Sequence, residues 1–157
     1  MFFSGAMPFS KWSFPSLIRL VASNNYLTGG LDGICGVSPV LRDLHLGSNL
    51  LSGTLPSCLG TGTMKASLQS LDLSGNMLRG LIPDSWSSLV ALTGLNLGSN
   101  GFGQHVSLML VPLMNLPHLT SVVLSKNKLW GGLIEQLFIG ACERRNSVDG
   151  KFAHARD

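Results

Sequence analysis

The sequence predicts an α/β-type solenoid, in which short coils stack and one strand from each coil joins a common parallel sheet. The main observation is a frame of leucines around an asparagine, L-x-x-L-x-L-x-x-N-x-L-x-G, that occurs five times. Copies begin at Leu17, Leu41, Leu68, Leu92 and Leu119, so the steps between them are 24, 27, 24 and 27 residues. A fixed period of roughly 20 to 50 residues is the signature of a stacked-repeat architecture, here with about five full repeats.

The first half of the frame predicts the strands. Leucines at frame positions 1, 4 and 6, as in Leu41, Leu44 and Leu46, alternate with polar residues, which indicates a short strand with one buried face. Because every coil repeats this pattern, the strands are expected to form a parallel sheet on the concave face, above one continuous leucine core. Glycine and proline at positions 13 and 16, such as Gly53 and Pro56, are expected to turn the chain into loops and short 3-10 turns on the convex face.

An asparagine stands at frame position 9, where the chain leaves each strand. Its amide both donates and accepts hydrogen bonds, so it suits backbone groups of its own coil and of the neighbouring coil. We therefore predict a structural ladder of asparagines and not a row of ligand-binding groups. Its members are Asn25, Asn49, Asn76, Asn100 and Asn127.

The segments that follow the strands carry a resemblance to a known family. Residues 52–56 (Ser-Gly-Thr-Leu-Pro) and 79–83 (Arg-Gly-Leu-Ile-Pro) resemble the L-x-G-x-[I/L]-P element of plant-type leucine-rich repeats. Cys35 after Ile34, and Cys58 within Leu-Pro-Ser-Cys-Leu, further resemble the ectodomains of plant receptor-like proteins, where similar cysteines lie in consecutive repeats. The resemblance covers roughly residues 3–137.

Three functions are compatible with this resemblance. The first is a cell-surface module of a receptor-like protein or receptor-like kinase that binds a protein or peptide ligand, with a co-receptor as a further partner. The second is a secreted inhibitor of a cell-wall-degrading enzyme, similar to polygalacturonase inhibitors. The third is an intracellular scaffold or a gene fragment without a ligand.

The frame also predicts the domain organisation. Residues 1–16 are expected to be a partial repeat with a truncated start, because counting back 24 residues from Leu17 places Phe3 at frame position 11. Residues 17–137 are the predicted solenoid, and the polar residues 138–157, which contain no leucine, are expected to be a poorly ordered tail. The sequence shows no recognisable signal peptide, membrane span or kinase motif.

Composition and cysteine spacing argue against several kinds of site. A net charge of +3 over 157 residues, without a basic cluster, does not favour nucleic-acid binding. None of the three cysteines, Cys35, Cys58 and Cys142, has the C-x-x-C or histidine spacing of a metal site. No metal and no cofactor are expected. Cys35 and Cys58 occupy similar positions of adjacent coils, which leaves two interpretations open: a disulfide, or two thiols facing the core.

Candidate ligand-binding residues lie at the frame positions that project onto the predicted concave face. Arg42, Asp43, His45 and Asp72 are expected to form a polar cluster near its centre. Repeat proteins usually bind their partners on this face. The complete set of candidates is Arg19, Arg42, Asp43, His45, Asp72, Asn96 and Lys126.

The fourth repeat is expected to add a flat surface. Gly94, Gly98 and Gly101 carry no side chain, so a partner backbone can approach closely there. Tyr26 at one end and Lys126 at the other are expected to lie in the turns that follow the strands.

A catalytic interpretation of the same face is rejected. His45 beside Asp72, with serines nearby, has the residue types of a hydrolytic triad. An open sheet offers no oxyanion hole and no nucleophile turn, and neighbouring strands bring such side chains together by default. We therefore predict no catalytic residue and no enzyme activity.

Overall fold

The computed structural model describes residues 2–131, and in that part of the chain strands from successive coils form two parallel sheets. The solenoid architecture predicted from the leucine frame is confirmed. In chain order the strands are Ser4–Ala6 (β1), Arg19–Val21 (β2), Tyr26–Gly29 (β3), Asp43–His45 (β4), Leu50–Gly53 (β5), Ser70–Asp72 (β6), Met77–Leu78 (β7), Gly94–Asn96 (β8) and Ser121–Val123 (β9).

Short helical segments connect the strands on the convex side. Each is only a few residues long, because glycines, prolines and serines interrupt these connections. The α-helices are Cys58–Thr61 (α1) and Val106–Leu110 (α2), and the 3-10 helices are Phe9–Lys11, Ile34–Gly36, Thr63–Ala66, Asp84–Ser88 and Val111–Leu113.

The concave sheet consists of five parallel strands in the order β2-β4-β6-β8-β9. The register aligns the central leucines of successive coils, so Leu44 pairs with Leu71 and Leu71 pairs with Leu95. These leucines are almost fully buried, and the leucines at frame positions 1 and 6 join them in the same core cluster. The residues between them face outward, which is what the alternating pattern predicts.

Large side chains close the core from the convex side. Trp86 is fully buried, and its indole Nε1 donates a hydrogen bond to the carbonyl of Pro56 at 2.9 Å. The backbone of Ser85 lies directly against Gly60 of the preceding coil, where a β-carbon would overlap with it. The convex connections of the second and third coils are therefore in direct contact.

A second sheet was missed by the sequence interpretation. It has four parallel strands in the order β1-β3-β5-β7, of which β3, β5 and β7 begin directly after Asn25, Asn49 and Asn76. Tyr26 begins β3, so its assignment to a turn was wrong. These strands show no alternation of apolar and polar residues, because frame position 10 is exposed and yet apolar, as at Leu50 and Met77.

The glycine at frame position 13 is the last residue of β3 and β5 and lies two residues after β7, and it has the same conformation in all three coils. Gly29, Gly53 and Gly80 have φ angles of 86°, 88° and 91°. A residue with a β-carbon is strained in this region, so glycine is required for the chain to turn toward the convex side.

The ladder asparagines bind the bends of adjacent coils to one another. The Oδ1 of Asn76 accepts a hydrogen bond from the backbone N–H of Leu51 in the preceding coil at 2.9 Å. Its Nδ2 donates to the carbonyls of Leu46, also in the preceding coil, and of Leu73, both at 3.1 Å. The other four asparagines accept from the equivalent backbone N–H, which for Asn25 belongs to Phe3.

A disulfide links the convex connections of two adjacent coils. It joins Cys35, in the first 3-10 connection after β3, to Cys58 at the start of α1, with 6.0 Å between their α-carbons. The bridge spans 23 residues of sequence, almost one complete coil. It therefore fixes the position of the second coil on the first independently of the two sheets.

The predicted polar tail, residues 138–157, and Cys142 lie outside the described residues, as does the end of the predicted solenoid. Within residues 2–131, no helix has the length and apolar character required to cross a lipid bilayer.

The ladder predicts a large effect of Asn76→Ala on stability. The variant leaves the Leu51 N–H and three carbonyls without their side-chain partner, which we expect to lower the free energy of unfolding by about 2 to 4 kcal/mol. Urea denaturation measures this change. Asn115→Ala, at an exposed asparagine outside the ladder, is the control and should stay within about 0.5 kcal/mol of the parent. Equal losses in the two variants would contradict the role of the ladder.

The disulfide predicts a second effect. Replacing Cys35 and Cys58 with serine removes a bridge over 23 residues, and the free energy of unfolding should fall by about 3 kcal/mol because the unfolded chain regains that loop entropy. The loss should match the one produced by reducing the parent protein. A double variant as stable as the oxidised parent would show that the bridge does not hold the two coils together.

Candidate functional site

The concave sheet presents two rows of outward-facing residues, at frame positions 3 and 5. Parallel register without a shift places equivalent residues of successive coils directly side by side. The rows therefore run across the strands, along the stacking direction of the coils. One row is Arg19, Asp43, Ser70, Gly94 and Ser121, and the other is Val21, His45, Asp72, Asn96 and Val123.

An ion pair stands at the β2 end of the first row. The Nε of Arg19 lies 3.9 Å from a carboxylate oxygen of Asp43, and the two side chains are 65% and 33% exposed. Such an exposed pair stabilises a protein by about 0 to 1 kcal/mol at most. Breaking the pair therefore costs little free energy, so each of the two side chains can instead contact a partner molecule.

The two residues with catalytic potential are engaged separately. The Nε2 of His45 lies 2.9 Å from the hydroxyl oxygen of Ser70. An oxygen of Asp72 accepts hydrogen bonds from the backbone N–H and the hydroxyl of Ser74 at 2.9 and 2.7 Å. His45 and Asp72 are register partners on adjacent strands, yet each is held by a neighbouring serine.

An open depression of about 280 Å³ lies where the two rows cross the third, fourth and fifth coils. Its floor is formed at Gly94, where an added β-carbon would have no atom within 4 Å. The missing side chain of Gly94 thus creates the space between Ser70 and Ser121, its neighbours in the row. Residues that line the depression are His45, Ser70, Leu71, Asp72, Gly94, Leu95, Asn96, Ser121 and Val123.

The polar groups around this depression are partly held in place. The Oδ1 of Asn96 accepts a hydrogen bond from the Gly98 N–H at 3.1 Å, which orients the amide and leaves its Nδ2 pointing away from that bond. Asp72 uses one carboxylate oxygen for Ser74, while its second oxygen has no hydrogen bond to any described residue. The depression is therefore bordered by an amide and a carboxylate, each anchored by a hydrogen bond of one of its atoms.

The structure brings together only part of the predicted set. His45, Asp72 and Asn96 line the depression, and Arg19 and Asp43 pair at the sheet edge. Arg42, just before β4, and Lys126, after β9, are exposed and do not line it.

Three further residues of the depression were not among the candidates. Ser70, Ser121 and Val123 line it because they flank Gly94 and Asn96 in the register. The repeat frame could have identified these residues. Residues at the same frame position of adjacent coils lie side by side, so a glycine in one coil leaves a space between its two neighbours in the row.

The predicted flat glycine surface needs correction. Gly98 is buried, because the Asn96 side chain and the Ser125 carbonyl cover it at 3.3 Å from its β-carbon position. Gly101 lies beside the second sheet, where its N–H donates to the Leu78 carbonyl at 2.8 Å. Gly94 is the glycine that opens the concave face.

Comparison with known proteins gives a consistent result. A family profile described as leucine rich repeat matches residues 39–102. Receptor-like protein 35 of Arabidopsis thaliana is 43% identical over 145 residues, which cover 79% of this chain and 15% of that protein. The chain thus spans less than a sixth of the length of this relative.

Solved structures of plant receptor ectodomains share the fold. The Arabidopsis receptor kinase HAESA, in complex with the peptide hormone IDA and the co-receptor SERK1, superposes with a TM-score of 0.72 at 28% identity, over 87% of this chain and 22% of that chain. The leucine-rich repeat ectodomain of GASSHO1/SCHENGEN3 from Arabidopsis thaliana, in complex with CASPARIAN STRIP INTEGRITY FACTOR 2, gives 0.70 at 31% identity, over 80% and 14%. The chain is therefore a plant-type leucine-rich repeat protein that resembles the ectodomains of receptor-like proteins and receptor-like kinases.

Proposed function

We propose that this chain is a non-catalytic binding module that recognises a protein or peptide on its concave sheet, as part of a cell-surface receptor. The depression over Gly94 is the observation that carries the proposal, because it is an open site bordered by oriented polar groups. The complexes of two similar ectodomains, one with a peptide hormone and a co-receptor and the other with CASPARIAN STRIP INTEGRITY FACTOR 2, support the same class of function.

The ligand expected at this site is a segment of extended backbone. A partner main chain can approach the sheet closely at Gly94, where every other position of that row carries a side chain. The amide nitrogen of Asn96 then faces a backbone carbonyl, and the second carboxylate oxygen of Asp72 faces a backbone N–H or a cationic side chain. Arg42, Asp43 and Lys126 lie outside the depression and are proposed to contact flanking parts of the ligand.

The contacts of His45 support a non-catalytic role. A general base requires an acid that orients its ring, and Asp72 is instead bonded to Ser74. Ser70, which contacts His45, lies in the middle of the concave sheet, and the depression is open to water. These features favour recognition over bond cleavage.

The proposal predicts that filling the depression prevents binding. Peptides selected from a displayed random library against the parent chain serve as the probe, and their affinities are measured by calorimetry. Gly94→Trp should weaken binding at least about tenfold, equivalent to about 1.4 kcal/mol, because the indole occupies the ligand position. Combined replacement of Arg42, Asp43 and His45 with alanine should abolish it, through loss of the polar contacts.

The matched control is Gly36→Trp. Gly36 also has no atom within 4 Å of its β-carbon position, but it lies in a convex 3-10 helix. This variant should bind as the parent does. Full affinity in Gly94→Trp, or equal losses in the two tryptophan variants, would contradict the proposed site.

A further inference from the structure

Asn100 combines a structural role with a chemical liability. It is the ladder asparagine of the fourth repeat, and it is the only asparagine in the sequence that is followed by glycine. In an Asn-Gly pair the backbone nitrogen of the glycine can attack the side-chain amide carbon, because no β-carbon of the second residue obstructs the approach. The four other ladder asparagines precede tyrosine, leucine, methionine and lysine.

In the folded chain both reacting groups, the Asn100 side-chain amide and the Gly101 backbone N–H, are engaged in hydrogen bonds. The Nδ2 of Asn100 donates to the carbonyls of Leu73, Leu97 and Gly98 at 2.9, 3.1 and 3.2 Å. Its Oδ1 accepts from the Leu78 N–H at 3.0 Å. The attacking N–H of Gly101 donates to the Leu78 carbonyl at 2.8 Å. The reaction therefore requires opening of the contact between the third and fourth coils.

This contact is also where the second sheet ends within the described residues. β7 pairs with β5 on one side, and on the other side Gly101 supplies a single hydrogen bond in place of a strand. The bend itself has the same backbone hydrogen bonds as the earlier bend, and the difference lies just beyond it, where Leu78 bonds only to Asn100 and Gly101 of the fourth coil. Local opening is expected first where few backbone hydrogen bonds hold an element.

We propose that Asn100 is a site of spontaneous deamidation whose rate is governed by opening of this ladder step. The Gly101 nitrogen forms a bond to the Asn100 amide carbon and loses its proton, and the carbon–nitrogen bond of the side-chain amide breaks to release ammonia. Water then opens the cyclic imide at either carbonyl and leaves aspartate or isoaspartate. No oxidant, reductant or enzyme is needed.

The product cannot rebuild the ladder step. An ionised carboxylate accepts hydrogen bonds but donates none, so the carbonyls of Leu73, Leu97 and Gly98 lose their donor. A negative charge is also placed among carbonyl oxygens in a partly buried site. Isoaspartate additionally lengthens the main chain by one atom. Modification therefore weakens the contact between the third and fourth coils at their bends, while β6 and β8, which border the Gly94 depression, stay paired.

The first test compares rates of modification. The full chain is incubated at mildly alkaline pH in its folded form and in urea, and mass spectrometry of its peptides measures conversion at each asparagine. We expect Asn100 to react in urea and to react at least about tenfold more slowly when folded, a factor that corresponds to an opening free energy of about 1.4 kcal/mol. Asn76, which makes the same set of hydrogen bonds but precedes methionine, is the internal control and should stay unmodified in both forms.

The second test measures how the modification affects stability, with a substitution that reproduces the aspartate product without incubation. Asn100→Asp should lower the melting temperature by at least about 4 °C, whereas Asn115→Asp, with the same charge change at an exposed asparagine, should leave it within about 1 °C. Equal rates for folded and unfolded chains, equal conversion of Asn76 and Asn100, or equal melting of the two variants would each overturn the proposal.

Discussion

The column of asparagine amides is the interaction on which the rest of this structure depends. At each bend the chain turns sharply away from the concave sheet, which leaves backbone N–H and C=O groups pointing into the protein. Asn49 and Asn76, both largely buried, satisfy these groups in their own coil and in the preceding coil. Leucine packing alone would form the core but would not fix the register of one coil against the next, because hydrophobic contacts are not directional.

The residues that stabilise the fold differ from those that are exposed on the concave sheet. Leucines form the core and asparagines join the bends, whereas the residues at frame positions 3 and 5 of the concave sheet face outward. Gly94 shows the result, since the fold is continuous around it although it carries no side chain. Substitutions in the proposed concave binding site can therefore alter recognition and leave the core intact, as fold and function are separable.

The sequence was informative where a residue type repeats and uninformative where contacts depend on single side chains. Leu44, Leu71 and Leu95 could be assigned to the core because burial follows from the alternating pattern. The second sheet was missed because its exposed position is apolar and its strands are as short as Met77–Leu78. The contact of His45 with Ser70 rather than with Asp72 depends on side-chain rotamers, which no spacing encodes.

The central claim is that the amide column locks adjacent coils together, and native-state hydrogen exchange tests it most directly. The relevant amides are those of Leu27, Leu51 and Leu78, which donate to the side-chain oxygens of ladder asparagines. If the account is correct, they exchange as slowly as the amide of Leu71 in the middle of the concave sheet. Rapid exchange of these three amides while Leu71 remains protected would contradict it.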